Sequence, residues 1–125
     1  MITYAERVCF KPRHMQALER AIAGCARVSA HWGNELRCHE LARAVRADLL
    51  YDELALHVID GRCNGVEHTW LCFADGVLLD VYVPGRYPAV QLIDPLVATR
   101  IYVPAGARAD LRGEMIAKLL SEMRS

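Results

Sequence analysis

Several signals are missing from this chain, and each absence closes off a class of function. It contains no apolar run approaching the roughly eighteen residues that a membrane-spanning helix needs. It has no excess of basic residues, since 15 Lys and Arg balance 15 Asp and Glu. A protein whose main partner is a phosphate backbone usually carries such an excess, so no nucleic-acid partner is expected. There is no Cys-x-x-Cys pair, and no glycine-rich phosphate loop ending in Lys-Ser or Lys-Thr. His39-Glu40-Leu41-Ala42-Arg43 begins like a zinc-protease helix, but Arg43 stands where the second histidine would be. No cofactor and no metal are expected.

What remains is a chain of 125 residues that is 54% hydrophobic and 24% charged. That composition excludes a disordered or fibrous protein, and the length points to one domain over residues 1–125 with one main core. The five cysteines, at positions 9, 25, 38, 63 and 72, are odd in number and dispersed. A disulfide framework is therefore not expected, and a reducing cytoplasm is the expected location. Met1 to Met15 carries Glu6, Arg7, Lys11 and Arg13 without a long apolar stretch, unlike a secretory leader.

Periodicity divides the chain into helix, strand and helix regions. Pro12 suits a first helical turn, and Met15, Leu18, Ile22, Cys25 and Ser29 then recur at steps of three or four. His31-Trp32-Gly33-Asn34 interrupts the pattern, with Asn34 as the candidate N-cap of a second helix over about 35–50. That helix places Cys38, Leu41, Ala42, Val45 and Leu49 on one face and Arg43, Arg46 and Asp48 on the other. Strands are expected over 54–59, ended by Asp60-Gly61, then 66–73, 77–83, 89–93 and 99–103. Leu111, Met115, Leu119 and Met123 mark a last helix. The order predicts an α+β fold: N-terminal helices packed on an antiparallel sheet, then a C-terminal helix.

Three short segments carry the chemistry. Cys38 opens the second helix, where the positive end of the helix dipole and unpaired N–H groups favour a thiolate. His68 sits in Glu67-His68-Thr69-Trp70 at the head of a strand, and Asp80 in Leu78-Leu79-Asp80-Val81 on the returning strand. A three-residue loop, Ala74-Asp75-Gly76, with Gly76 left-handed, would pair Phe73 with Val77. Trp70 would then face Asp80 and His68 would face Tyr82, making His68 and Asp80 diagonal neighbours on one face. A two-residue loop would put them on opposite faces. In such a set the imidazole takes the thiol proton and the carboxylate holds the imidazole. The Cys38 backbone N–H is a candidate oxyanion donor, with Asn34 or Trp32 as the second. Asp94 is an alternative orienting carboxylate.

The segment Arg37-Cys38-His39-Glu40-Leu41-Ala42, followed by His68-Thr69-Trp70 and then Asp80, resembles the transglutaminase-like proteins. The likeness covers residues 32–83, in the order Cys, His, Asp, with spacings similar to those of the family's compact members. It implies a papain-like α+β fold and a cysteine hydrolase or acyltransferase. Cys38 would be the nucleophile, His68 the base, Asp80 the orienter and Trp70 a supporting residue. A peptide or protein would be the substrate, and a second copy of the chain is a candidate partner to complete the site.

Plainer readings stand beside this one. A lone cysteine on an apolar helical stripe is most often a core residue, and Cys9, Cys25 and Cys72 are read so. Cys63 is read as an exposed loop thiol in Gly61-Arg62-Cys63-Asn64-Gly65. Trp70 is also a natural core residue. The same fold would serve as a binding or assembly module, with Tyr82 to Tyr87, Pro84 and Pro88 offering an interface. A zinc site on Cys38, His68 and Asp80 is a further alternative.

Overall fold

The computed structural model describes residues 11–82 and 90–125. Helix α1 (Pro12–Trp32) begins with its proline in the first turn. A single 3₁₀ turn, Gly33–Glu35, leads into α2 (Cys38–Leu50). Strands β1 (His57–Cys63), β2 (Val66–Cys72), β3 (Leu78–Asp80) and β4 (Gln91–Ile93) follow. Then come α3 (Pro95–Ile101), β5 (Tyr102–Pro104) and α4 (Gly113–Arg124). The five strands form an antiparallel sheet in the order β4-β3-β2-β1-β5. The expected α+β architecture is what forms.

Strand alternation divides the core in two. One sheet face carries Leu71, Leu79 and Leu92 and packs with Leu18, Leu41, Val45, Leu49 and Leu119 from α1, α2 and α4. The other carries Cys63, Trp70, Leu78 and Tyr102 and is covered by Ala98 and Ile101 of α3. Helix α2 is central: Leu41, Ala42, Ala44, Val45 and Leu49 have no measurable exposure. At about 2 kcal/mol for each large side chain buried, this helix anchors the larger cluster.

The loop between β2 and β3 has the expected geometry. Leu71 pairs with Leu79 and Cys72 with Leu78, Phe73 N–H donates to Val77 O at 2.9 Å, and Gly76 has φ 91°. The turn is the three residues Ala74, Asp75 and Gly76.

Other expectations are corrected. The first strand is not 54–59 ending at Asp60-Gly61. It is His57–Cys63, with both residues inside it, and the turn is made by Asn64 (φ 51°) and Gly65 (φ 79°). Asn-Gly and Asp-Gly are both strong short hairpin signals, and the close crossing of β5 at Gly61 leaves the turn to Asn64-Gly65. Gly61 is glycine because β5 crosses tightly there: a Cβ would lie 2.2 Å from Val103 O and 2.9 Å from Pro104 Cα. Leu54 and Leu56 fill the core from the connection before β1.

The strand expected over 99–103 is mostly helix α3. Asp94 caps it, accepting from Leu96 N–H at 2.8 Å, with Pro95 in its first turn. Only Tyr102–Pro104 is strand. Asn34 does not cap α2: Arg37 is the N-cap, without a side-chain bond, and Asn34 lies exposed in the 3₁₀ turn. Helix α1 runs through His31 and Trp32 and stops at Gly33, whose φ is 56°. Asp48 is not on a solvent face; it is buried and accepts from Arg124 Nη1 at 2.7 Å. Cys63 is buried at 5% exposure rather than displayed on a loop, because it lies in β1 and faces Trp70 and Tyr102. Cys25 is buried as expected, and Cys72 is half-buried. Cys9 and the Pro84 to Pro88 stretch lie outside the described residues.

Candidate active site

The N-cap Arg37 is extended, so the chain turns into α2 at Cys38, the first helical residue. The first helical bond at this end runs from Leu41 N–H to Arg37 O at 3.1 Å. The N–H groups of Cys38, His39 and Glu40 precede it, as donors at a helix start do.

Position 40 anchors this end. Its carboxylate is fully buried and ion-paired with Arg37 and with Arg112 from the segment before α4, at 2.9 Å for Arg112. Arg112 N–H adds a bond at 3.2 Å. Burial opposes ionisation, but the two guanidiniums prevail and hold Glu40 down at about 2. Arg37 also reaches Asp110, at 3.1 Å to its carboxylate and 3.0 Å to its carbonyl. The 105–112 segment is thereby strapped over the start of α2.

His68 and Asp80 meet as the hairpin register demands. His68 Nε2 lies 2.8 and 2.9 Å from the two Asp80 oxygens, with both residues at or below 1% exposure. Asp80 also accepts from Tyr82 N–H at 3.1 Å and from the Tyr102 hydroxyl at 2.5 Å. Burying carboxylate oxygens is costly unless such donors satisfy them. Burial alone would lower the basicity of His68. Hydrogen bonds to Asp80 and to Cys38, and the charges of both, overcome it and raise the imidazole to about 9. Since Nε2 is committed to Asp80, Nδ1 is the nitrogen left for the thiol.

Cys38 is 5% exposed and belongs to neither apolar cluster. Its sulfur lies 3.6 Å from His39 Nδ1, and its thiol is among the groups that raise His68. His39 Nδ1 is 2.7 Å from Thr69 Oγ1, whose hydroxyl donates to Asp60 Oδ1 at 2.7 Å. Asp60 is clamped by Arg43, at 3.1 and 2.6 Å, and by Arg108 N–H at 3.2 Å. An open cleft of about 360 Å³ lies alongside, lined by Asp60, Arg62, Glu67 and the 105–110 segment; Cys38 and His68 do not line it.

Of the residues singled out from sequence, His68 and Asp80 are in contact, and Cys38 contributes to raising His68. Trp70 has the core role also expected for it: it is 1% exposed, with its ring edge-on to Tyr102 at 5.0 Å between centroids. Trp32 is not available as an oxyanion donor, because its indole N–H donates to Glu122 at 2.9 Å. Asn34 is exposed in the 3₁₀ turn. Asp94 serves α3 as its cap rather than orienting His68. Among the described residues no three His, Cys, Asp or Glu are placed to hold a metal ion, including the zinc set considered above. Tyr102, His39, Thr69 and Asp60 were not legible as site residues. Tyr102 arrives through the α3–β5 crossover, and the other three touch only once α2 is laid on the sheet.

No helix among the described residues is long and apolar enough to cross a membrane. No protein-family model, curated protein or solved structure matches this chain.

Proposed function

We propose that the chain is a cysteine hydrolase or acyltransferase acting on a peptide or amide bond, with Cys38, His68 and Asp80 as its catalytic set. The observation that carries this is the buried pair of His68 and an Asp80 carboxylate held by three donors, with an imidazole raised in part by the thiol of Cys38. His68 Nδ1 takes the proton from Cys38, and the thiolate forms a bond to the substrate carbonyl carbon. The Cys38 backbone N–H faces the oxyanion. The carbon–nitrogen bond then breaks, and the His68 proton passes to the departing amine. A water or a second amine attacks the thioester, gives its proton to His68, and releases the thiolate.

Burial of the sulfur favours a second function, a binding or assembly module that keeps the fold without turnover. Iodoacetamide labelling of the folded chain with peptide mapping separates the two. Catalysis requires Cys38 to react faster than half-buried Cys72 and to lose that advantage in His68→Ala. A Cys38 that reacts no faster than Cys72, or only after denaturation, assigns the chain to the second function.

A further inference from the structure

The two imidazoles beside Cys38 are held by different partners, and the difference fixes where their protons sit. Asp60 is a carboxylate, so it can only accept from Thr69. The single hydroxyl hydrogen of Thr69 therefore points to Asp60, 2.7 Å away. Thr69 Oγ1 must then accept the bond at 2.7 Å from His39, which places a hydrogen on His39 Nδ1. That same nitrogen is 3.6 Å from the Cys38 sulfur. Arg43 completes the chain, clamping Asp60 through two nitrogens and donating to the His39 carbonyl at 3.0 Å. His39, Thr69 and Asp60 are all buried.

We propose that His39 is a second functional imidazole, locked as its Nδ1–H tautomer by the Thr69, Asp60 and Arg43 relay so that it shares an N–H with the Cys38 sulfur. The inference rests on the assignment of Cys38 as nucleophile and deepens it. His68 exchanges the thiol proton, while His39 stays neutral and steadies the resulting thiolate as a hydrogen-bond donor. Its surroundings suit that division of labour: burial, then the charges of Arg108 and Arg37, disfavour a second imidazolium. The sulfur thus has His68 as its base and His39 as its fixed donor.

The test is histidine nitrogen NMR on the full chain labelled at its histidines, with Cys38 labelling rates alongside. The wild type is expected to carry the His39 proton on Nδ1, and a proton on Nε2 overturns the relay without any variant. Thr69→Val removes the acceptor and should move the proton away from Nδ1, while Thr69→Ser should retain it. Cys38 labelling should slow about tenfold in Thr69→Val, the scale of one hydrogen bond to a charged group, and recover in Thr69→Ser. A changed tautomer with an unchanged labelling rate overturns the donor role. Failure of the catalytic assignment looks different: Cys38 ignores His68→Ala while the His39 tautomer remains as stated.

Discussion

Replacing Asp80 by asparagine isolates the electrostatics of the site, because it keeps the shape and removes the charge. In the wild type, His68 is raised from an ordinary 6.5 to about 9. At 1.36 kcal/mol per tenfold, that is a preference for the imidazolium of about 3 kcal/mol. Asp80 contributes through its bonds at 2.8 and 2.9 Å and through its charge, and Cys38 adds to it. In Asp80→Asn the amide oxygen takes the place of the one that accepts from Tyr82 N–H, and the NH₂ group takes the place of the other, where the Tyr102 hydroxyl can turn to accept. His68 Nε2, 2.8 Å from the first position and 2.9 Å from the second, is then left with a neutral amide where it had a carboxylate. Burial now acts with less opposition, and His68 should titrate well below 9. With a weaker base in place of an imidazole raised to about 9, iodoacetamide labelling of Cys38 at pH 7.5 should fall by about tenfold or more.

The stability consequence has a definite sign. A raised imidazole stabilises the fold fully below about pH 6.5 and loses that contribution as pH rises through about 9. Urea unfolding of wild type and variant should therefore differ by about 3 kcal/mol near pH 6.5, and the gap should narrow toward pH 10. Histidine NMR titration reads the same quantity directly. A His68 that still titrates near 9 in Asp80→Asn refutes the reasoning.

Other predictions follow from individual contacts. Tyr102→Phe removes a 2.5 Å donor from the buried Asp80 carboxylate and should cost about 2 kcal/mol in urea unfolding; a cost near zero would mean the hydroxyl is not bonded there. Glu40→Gln leaves Arg37 and Arg112 without their shared anion and should cost about 3 kcal/mol at pH 7. The stabilisation from Glu40 is complete above about 4.5 and is lost as pH falls through about 2, so wild type and variant should converge over that acid range in thermal melts. Gly61→Ala pushes a methyl into Val103 O and Trp70 and should cost about 3 kcal/mol with loss of β5 pairing; hydrogen exchange at Arg62 and Asn64 reports it.

Local signals in the sequence settle local features. The three-residue turn at Ala74-Asp75-Gly76 sets the β2–β3 register and so brings His68 to Asp80, because side chains alternate with a period of two. The apolar stripe of α2 determines that Cys38 begins a buried helix. What sequence cannot settle is competition between signals of similar strength. Asp60-Gly61 and Asn64-Gly65 both read as turns, and only the crossing of β5 over Gly61 decides between them. Thr99 to Val103 satisfies a strand pattern, yet the Asp94 cap draws most of it into α3. The second arm of the site lay beyond the sequence altogether. Arg43, Asp60, Thr69 and His39 come from three elements separated along the chain, and they meet only because α2 packs on the β1–β2 face. Hydrogen bonds between distant elements leave no periodic trace in a chain, so only the tertiary structure could decide which polar side chains Cys38 would have for neighbours.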